Sequence, residues 1–303
     1  VTTKVSGRDA SSLPGYRDGR LHSIAGRPLT LFTDFDVAAY TRDARGRLGI
    51  AKAKLTGITG DVRDDLAFLW RIESAALSET RALLASWTGN EGRITAFVAT
   101  WAYERLWLAH AVRDLLTANG EPLPEPFERA RLGARLRSWY DERVLPIVVP
   151  VWTSLVGESV AAGQMARIAV QEATMQAAYR SLIPRLEGEA ARVVQEVVDR
   201  RDEIVRFFRL EASARITRSP QEARMARWHL QSGWRPFRVV GVADPDEERA
   251  LASIFRTPED QAAFESADAD LRRLLMERPT PFWGAIAPTP GFLSRKERRG
   301  VRP

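Results

Sequence analysis

The sequence predicts an all-α protein built on a four-helix bundle, with extra helices toward the C-terminus and an irregular N-terminal arm. Three observations carry that reading. Four long segments place apolar residues at helical spacing, and each stops at Gly, Asn-Gly or Pro. Two glutamate pairs, Glu73 with Glu104 and Glu172 with Glu203, share one separation of 31 residues. That is the length needed to run along a helix, turn, and return to the same height on an antiparallel neighbour. Strand-like runs are short and lie outside these segments, as at 29–32 and 237–242.

Residues 1–60, rich in Gly, Ser, Thr and Arg, form the arm, with room for a short strand. The helical body spans 61–278. Asp61 or Asp64 caps a first helix whose stripe is Leu66, Leu69, Trp70, Ala76, Leu77, Leu83 and Leu84, ending near Gly89. A second helix covers 92–118, with Phe97, Trp101, Tyr103 and Trp107 in its stripe, and stops at Asn119-Gly120. The sequence predicts a further helix over 127–143, followed by Pro146 and Pro150, which break what comes next. Third and fourth long helices cover 159–183 and 188–216, and Pro184 ends the third. Shorter helices follow at 220–231, 246–255 and 258–277. The Pro/Gly-punctuated, basic segment 279–303 reads as disordered.

With 303 residues, 45% of them hydrophobic, the chain is long enough for a sizeable core. It has no cysteine, which excludes disulfides, thiolate metal sites and cysteine nucleophiles. Its net charge is +6, and almost all of its positive charge is arginine, since the only lysines are Lys4, Lys52, Lys54 and Lys296. Acidic and basic residues alternate along most segments, as solvated helix faces do, rather than forming a basic stripe with interleaved aromatics. That argues against nucleic acid as a partner. The longest apolar run, 144–156, is broken by two prolines and is too short to span a bilayer. The N-terminus is polar, with no apolar stretch of the secretory kind. These features predict a soluble, cytoplasmic protein.

Four carboxylates delivered by four helices to one level are the skeleton of a di-metal site. The recurrent solution places one Glu on each of two helices and Glu-x-x-His on the other two. Glu73 and Glu172 would be the single carboxylates, and Glu104 and Glu203 would head the other two elements. The histidine positions, however, hold Trp107 and Arg206. Around these residues the chain reads Trp101-Ala-Tyr-Glu104-Arg105, Gln171-Glu172-Ala-Thr and Asp202-Glu203-Ile-Val-Arg206. Over about 60–215 it resembles the ferritin-like superfamily, closest to the acyl-carrier-protein desaturase-like branch. The corresponding helices of that branch carry Trp and Glu-x-x-His, Gln-Glu-Arg-Ala-Thr, and Asp-Glu-x-x-His.

The resemblance implies that Glu73, Glu104, Glu172 and Glu203 descend from ligands to two iron or manganese ions that activate dioxygen. The departures argue against that chemistry here. An indole N–H only donates, and a guanidinium is a permanent cation, so neither Trp107 nor Arg206 ligates a metal. The chain's histidines are His22, His110 and His229. His110, six residues beyond Glu104, is turned away from that face. Buried carboxylates repel by a few kcal/mol per close pair at an effective dielectric of about 20, so a metal-free core needs another counter-charge. Arg206 is the expected one, paired with Glu172 or Glu203, while Trp107 fills the space of the second metal.

The chain has no Walker-type phosphate loop, no G-x-G-x-x-G and no G-x-S-x-G elbow. Two functions fit what remains. One is a degenerate ferritin-like protein with no catalytic residue, metal or other cofactor, which binds an apolar ligand or a protein partner. The other is a di-metal oxidoreductase with an unusual ligand set and two iron or manganese ions. The run 295–302, with five basic residues and one acidic, is the expected contact for an acidic protein partner. Homo-oligomerisation is equally compatible with the sequence.

Overall fold

The second, third and fourth of the four long helices read from the apolar periodicity form as single helices, the first is broken in two, and their inward faces meet in one bundle. The computed structural model describes residues 31–55, 58–118, 120, 122–123, 158–231, 235–237 and 244–277, together with three short strands between 16 and 28. The strands β1 (Tyr16–Arg17), β2 (Arg20–Ile24) and β3 (Arg27–Pro28) form a small antiparallel meander, with Tyr16 opposite Leu21 and His22 opposite Pro28. A short helix that the sequence reading missed, α1 (Val37–Arg42), follows; the Asp36 side chain caps it by accepting the Ala39 N–H at 2.9 Å.

The predicted helix 61–89 is two helices, α2 (Gly60–Ser74) and α3 (Ala76–Leu84), followed by a 3-10 turn at Trp87–Asn90. Serine hydroxyls accompany the break. Ser74 donates to the Trp70 carbonyl and Ser78 to the Ala75 carbonyl, each at 2.8 Å, a bonding pattern that bends helices. Gly89 then lies so close to the Leu84 carbonyl that any Cβ would collide with it, which reserves the position for glycine. The chain doubles back as α4 (Gly92–Leu116).

The third and fourth long helices are α5 (Ser159–Leu182) and α6 (Gly188–Arg218), joined by a 3-10 turn containing Pro184. Gly188 starts α6 at φ 54, a left-handed conformation that glycine adopts without strain. Next come α7 (Pro220–Gln231), α8 (Asp244–Ile254), α9 (Pro258–Ser266) and α10 (Ala269–Glu277). The last two replace the single helix predicted over 258–277. Thr257 and Asp260 form a capping box at the start of α9. Phe237 lies in a turn, and the rest of the extended segment predicted for 237–242 is outside the described residues, as are the helix at 127–143 and the tail.

Two apolar clusters fill the bundle. One joins Leu66, Leu69 and Ile72 of α2, Leu108 and Val112 of α4, Met175 and Tyr179 of α5, and Val194, Val197 and Val198 of α6. The other joins Leu83 of α3, Phe97 and Trp101 of α4, Met165 and Ala169 of α5, and Ile204, Phe207 and Phe208 of α6, with Phe35 and Tyr40 from the arm. Burying each large side chain contributes about 1.5–3 kcal/mol. The helices α8 and α9 and their junction cover the first cluster through Leu251, Ile254, Phe255 and Phe264, while α10 covers the second through Leu271 and Leu275. No helix among the described residues is long and apolar enough to cross a membrane.

Candidate functional site

Between the two apolar clusters lies a charged layer. Each long helix enters it from one cluster and leaves into the other. On α4 the succession is Trp101, then Glu104 and Arg105, then Leu108; on α6 it is Val198, then Arg201, then Ile204. Helices α2 and α5 bring Glu73 and Glu172 to the same level. Glu73, Glu104, Glu172, Arg105 and Arg201 are each no more than 1% exposed. An unpaired charge so placed would cost several kcal/mol, so each needs an opposite charge close by.

It is close. Arg105 donates from Nε to Glu73 at 3.1 Å, from Nη1 to Glu79 at 2.6 Å and from Nη2 to the Ile72 carbonyl at 3.1 Å, and its Nη1 lies 3.6 Å from Glu172. Arg201 touches Glu73 with one terminal nitrogen and Glu172 with the other, bridging the two carboxylates. The Trp101 indole N–H donates to Glu172 at 3.1 Å, and Gln171 donates to Glu79 at 2.7 Å. Aromatic rings flank both cations, Trp101 beside Arg105 at 5.0 Å and Tyr179 beside Arg201 at 5.4 Å.

Glu104 belongs to the same layer but has its own partners. It accepts the Tyr40 hydroxyl at 2.9 Å and the Arg45 backbone N–H at 2.8 Å, and it pairs with the Arg45 guanidinium at 3.3 Å. Arg45 also donates to the Arg200 carbonyl at 2.8 Å, which fastens the arm across α4 and α6.

Burial pushes the Glu172 carboxyl up to about 7, against the pull of the Arg105 cation and the Trp101 N–H. Burial also lowers Arg201, to about 9, which leaves it cationic at neutral pH. Burial opposes the Arg105 charge too, but Glu79 and Glu172 beside it more than offset this and hold Arg105 above its ordinary value. With the Arg105 and Arg201 cations both in contact at neutral pH, the ionised form of Glu172 is the one this site accommodates. Tyr40 and Tyr179 are both pushed up, chiefly by burial, so both phenols stay protonated.

The expected convergence of four carboxylates is therefore corrected: Arg201 joins Glu73 and Glu172, Glu104 lies in the same layer with partners of its own, and Glu203 lies outside it. Glu203 is exposed, because it lies two residues, or roughly 200° of helix rotation, beyond the inward-facing Arg201. Arg206 is exposed on the same account. It donates to the Asp34 carbonyl at 3.4 Å and lies over the Phe35 ring, so it is not the counter-charge. Trp107 does not fill a metal's place. It is half-buried beside Tyr103 and His110, and its shielded N–H meets no acceptor among the described residues. The cations that do the work are Arg105 and Arg201, and the indole is that of Trp101.

These residues left a signal in the sequence. Arg201 interrupts the apolar stripe of α6 between Val194, Val197, Val198 and Ile204, Val205, Phe208, while Arg105 interrupts that of α4 between Trp101 and Leu108. A charge inside a buried stripe has to be paired. Tyr40 and Arg45 left no such trace, because contacts from an irregular arm have no periodicity.

The residues present do not fit a di-metal centre. Among the described residues no nitrogen ligand reaches the layer, and no three His, Cys, Asp or Glu side chains come together to hold a metal ion. A dication about 4 Å from one guanidinium would meet roughly 8 kcal/mol of repulsion at an effective dielectric near 20, and here there are two. The arrangement can hold helices in register and carry buried charge without a metal. The chain matches no protein-family model, no curated protein and no solved structure in the comparisons made.

Proposed function

We propose that this chain is a metal-free helical scaffold of ferritin-like, desaturase-like descent that acts by binding an apolar ligand or a protein partner, not by redox chemistry. In this reading Glu73, Glu104 and Glu172 are inherited ligand positions. Arg201, not Glu203, stands at the fourth, and Ile204 stands where a histidine would follow three residues on. The observation that carries it is the double contact of Arg201 with Glu73 and Glu172. The guanidinium takes the bridging place between carboxylates that a metal would need. Binding is further supported by large apolar side chains that α4 presents to solvent, Tyr103 and Leu106, on one face three residues apart.

The test is aerobic loading with ferrous iron. The solution should stay colourless in the near ultraviolet, and an oxo-bridged di-iron band would overturn the reading in favour of a di-metal oxidoreductase. A second experiment addresses descent. Arg201→Glu with Ile204→His recreates Glu-x-x-His on the inward face of α6 and should gain iron. A folded variant with no gain counts against the ancestral assignment.

A further inference from the structure

The helix α6 carries seven arginines, and five of them pair with carboxylates: Arg192, Arg200, Arg201, Arg215 and Arg218. The other two, Arg206 and Arg209, meet no carboxylate within 4 Å among the described residues. Each spends one donor on a backbone carbonyl, Arg206 on Asp34 at 3.4 Å and Arg209 on Ala267 at 3.1 Å. A guanidinium has five N–H donors, so most of their capacity is unmet among the described residues. These same two arginines line one open groove of about 320 Å³, together with Gln176, Asp202, Val205 and Leu210.

Other features of the groove set its preference. Val205 packs with Ala173 and Ala267 in a small apolar cluster separate from the two main ones, and half-buried Leu210, which packs against the second main cluster, adds apolar surface to the groove. Arg206 and Arg209 are one helical turn apart, so their side chains stand side by side on one face. The groove's single acid, Asp202, is bonded to Gln176 and pairs with neither arginine. Two cations against one anion leave the groove net positive, and its volume is near the lower end of small-molecule sites, about 300–1,000 Å³.

From this we infer that the groove on α6 binds a small organic anion, with a carboxylate or phosphate monoester head held by Arg206 and Arg209 and a compact apolar body on Val205 and Leu210. Arginine suits both heads, because its planar fork matches their oxygens two at a time and its face stacks on rings. The inference rests on reading the chain as a binding scaffold and names the ligand class for it.

The experiment is calorimetric titration of the full chain with benzoate and phenyl phosphate, alongside benzyl alcohol and inorganic phosphate. At least one aromatic anion should bind, and the tighter of the two identifies the head group. The uncharged alcohol should bind at least about tenfold more weakly, since charge-assisted hydrogen bonds are lost. The R206Q/R209Q double variant should lose about tenfold in affinity or more, while Asp202→Asn should tighten binding about threefold by removing a like charge. Failure of both anions to bind would overturn the inference. So would equal binding of the alcohol, or affinity unchanged in the double variant. Inorganic phosphate binding as tightly as phenyl phosphate would reduce the groove to an ion contact and overturn it as well. Iron uptake by the protein would bear only on the scaffold reading, so the two failures are distinguishable.

Discussion

Arg105 and Glu73, on helices that double back on one another, meet at 3.1 Å with neither side chain reaching solvent. With Arg201 and Glu172 they make the alternating-charge centre of the layer at mid-height of the bundle. The layer divides the apolar core and ties four helices to one register. Any slip of α6 by a residue would separate Arg201 from both carboxylates.

Removing one cation from this layer should be severe. Arg201→Met leaves Glu73 with Arg105 alone and strips Glu172 of its nearest counter-charge. Breaking a buried pair in this way costs about 3–5 kcal/mol. Pairing the change with Glu172→Gln should cost clearly less than the sum of the two single changes, because the residues act as one unit. Urea denaturation of the four proteins of this cycle measures the coupling. Additive effects would show that the contact carries no energy.

A pH effect is expected at His229. Burial, reinforced by the neighbouring Arg167 cation, lowers this imidazole from 6.5 to about 4. Between those values the unfolded chain takes up a proton that the folded chain refuses. The contribution is therefore whole above pH 6.5 and is lost as the pH falls toward 4, by about 3 kcal/mol at most. Comparing unfolding free energies of the native chain and His229→Gln across this range isolates it. Equal pH slopes for the two proteins would contradict the assignment.

The same ring should make Gly163 irreplaceable. A Cβ on Gly163 would collide with the His229 imidazole, so α5 and α7 pack as closely as they do only because that position is bare. Gly163→Ala should cost about 1–3 kcal/mol through overpacking. His229→Ala in the same chain should recover part of the loss, as thermal unfolding would show.

At the edge of the charged layer, Tyr40→Phe removes the hydroxyl that bonds Glu104 at 2.9 Å while keeping the ring stacked on Phe97 at 4.5 Å. A hydrogen bond to a charged partner is worth about 1.5–3 kcal/mol, and a urea titration should find a loss of that size. A neutral outcome would mean that Arg45 alone satisfies the carboxylate.

Much of the fold was legible because burial writes a period into the chain. The stripes of α4, α5 and α6 located those helices to within a few residues, since each buries one face continuously. The site was legible only in part. Glu73, Glu104 and Glu172 stood out as acids at matching heights. Motif likeness points to Glu203, although two residues carry a side chain to the far side of a helix. Following the stripe instead would have selected Arg201, which sits in line with Val197, Val198 and Ile204. The clamp from Tyr40 and Arg45 was beyond reach, because nothing local in residues 31–55 encodes which helix they cross.

The central claim is that guanidinia, not metal ions, neutralise the buried carboxylates. Equilibrium dialysis against ferrous iron and against manganese, with elemental analysis of the retained protein, tests it most directly. The account predicts metal well below one ion per chain, unchanged from a Glu73→Gln control. About two ions per chain, falling in that control, would contradict it.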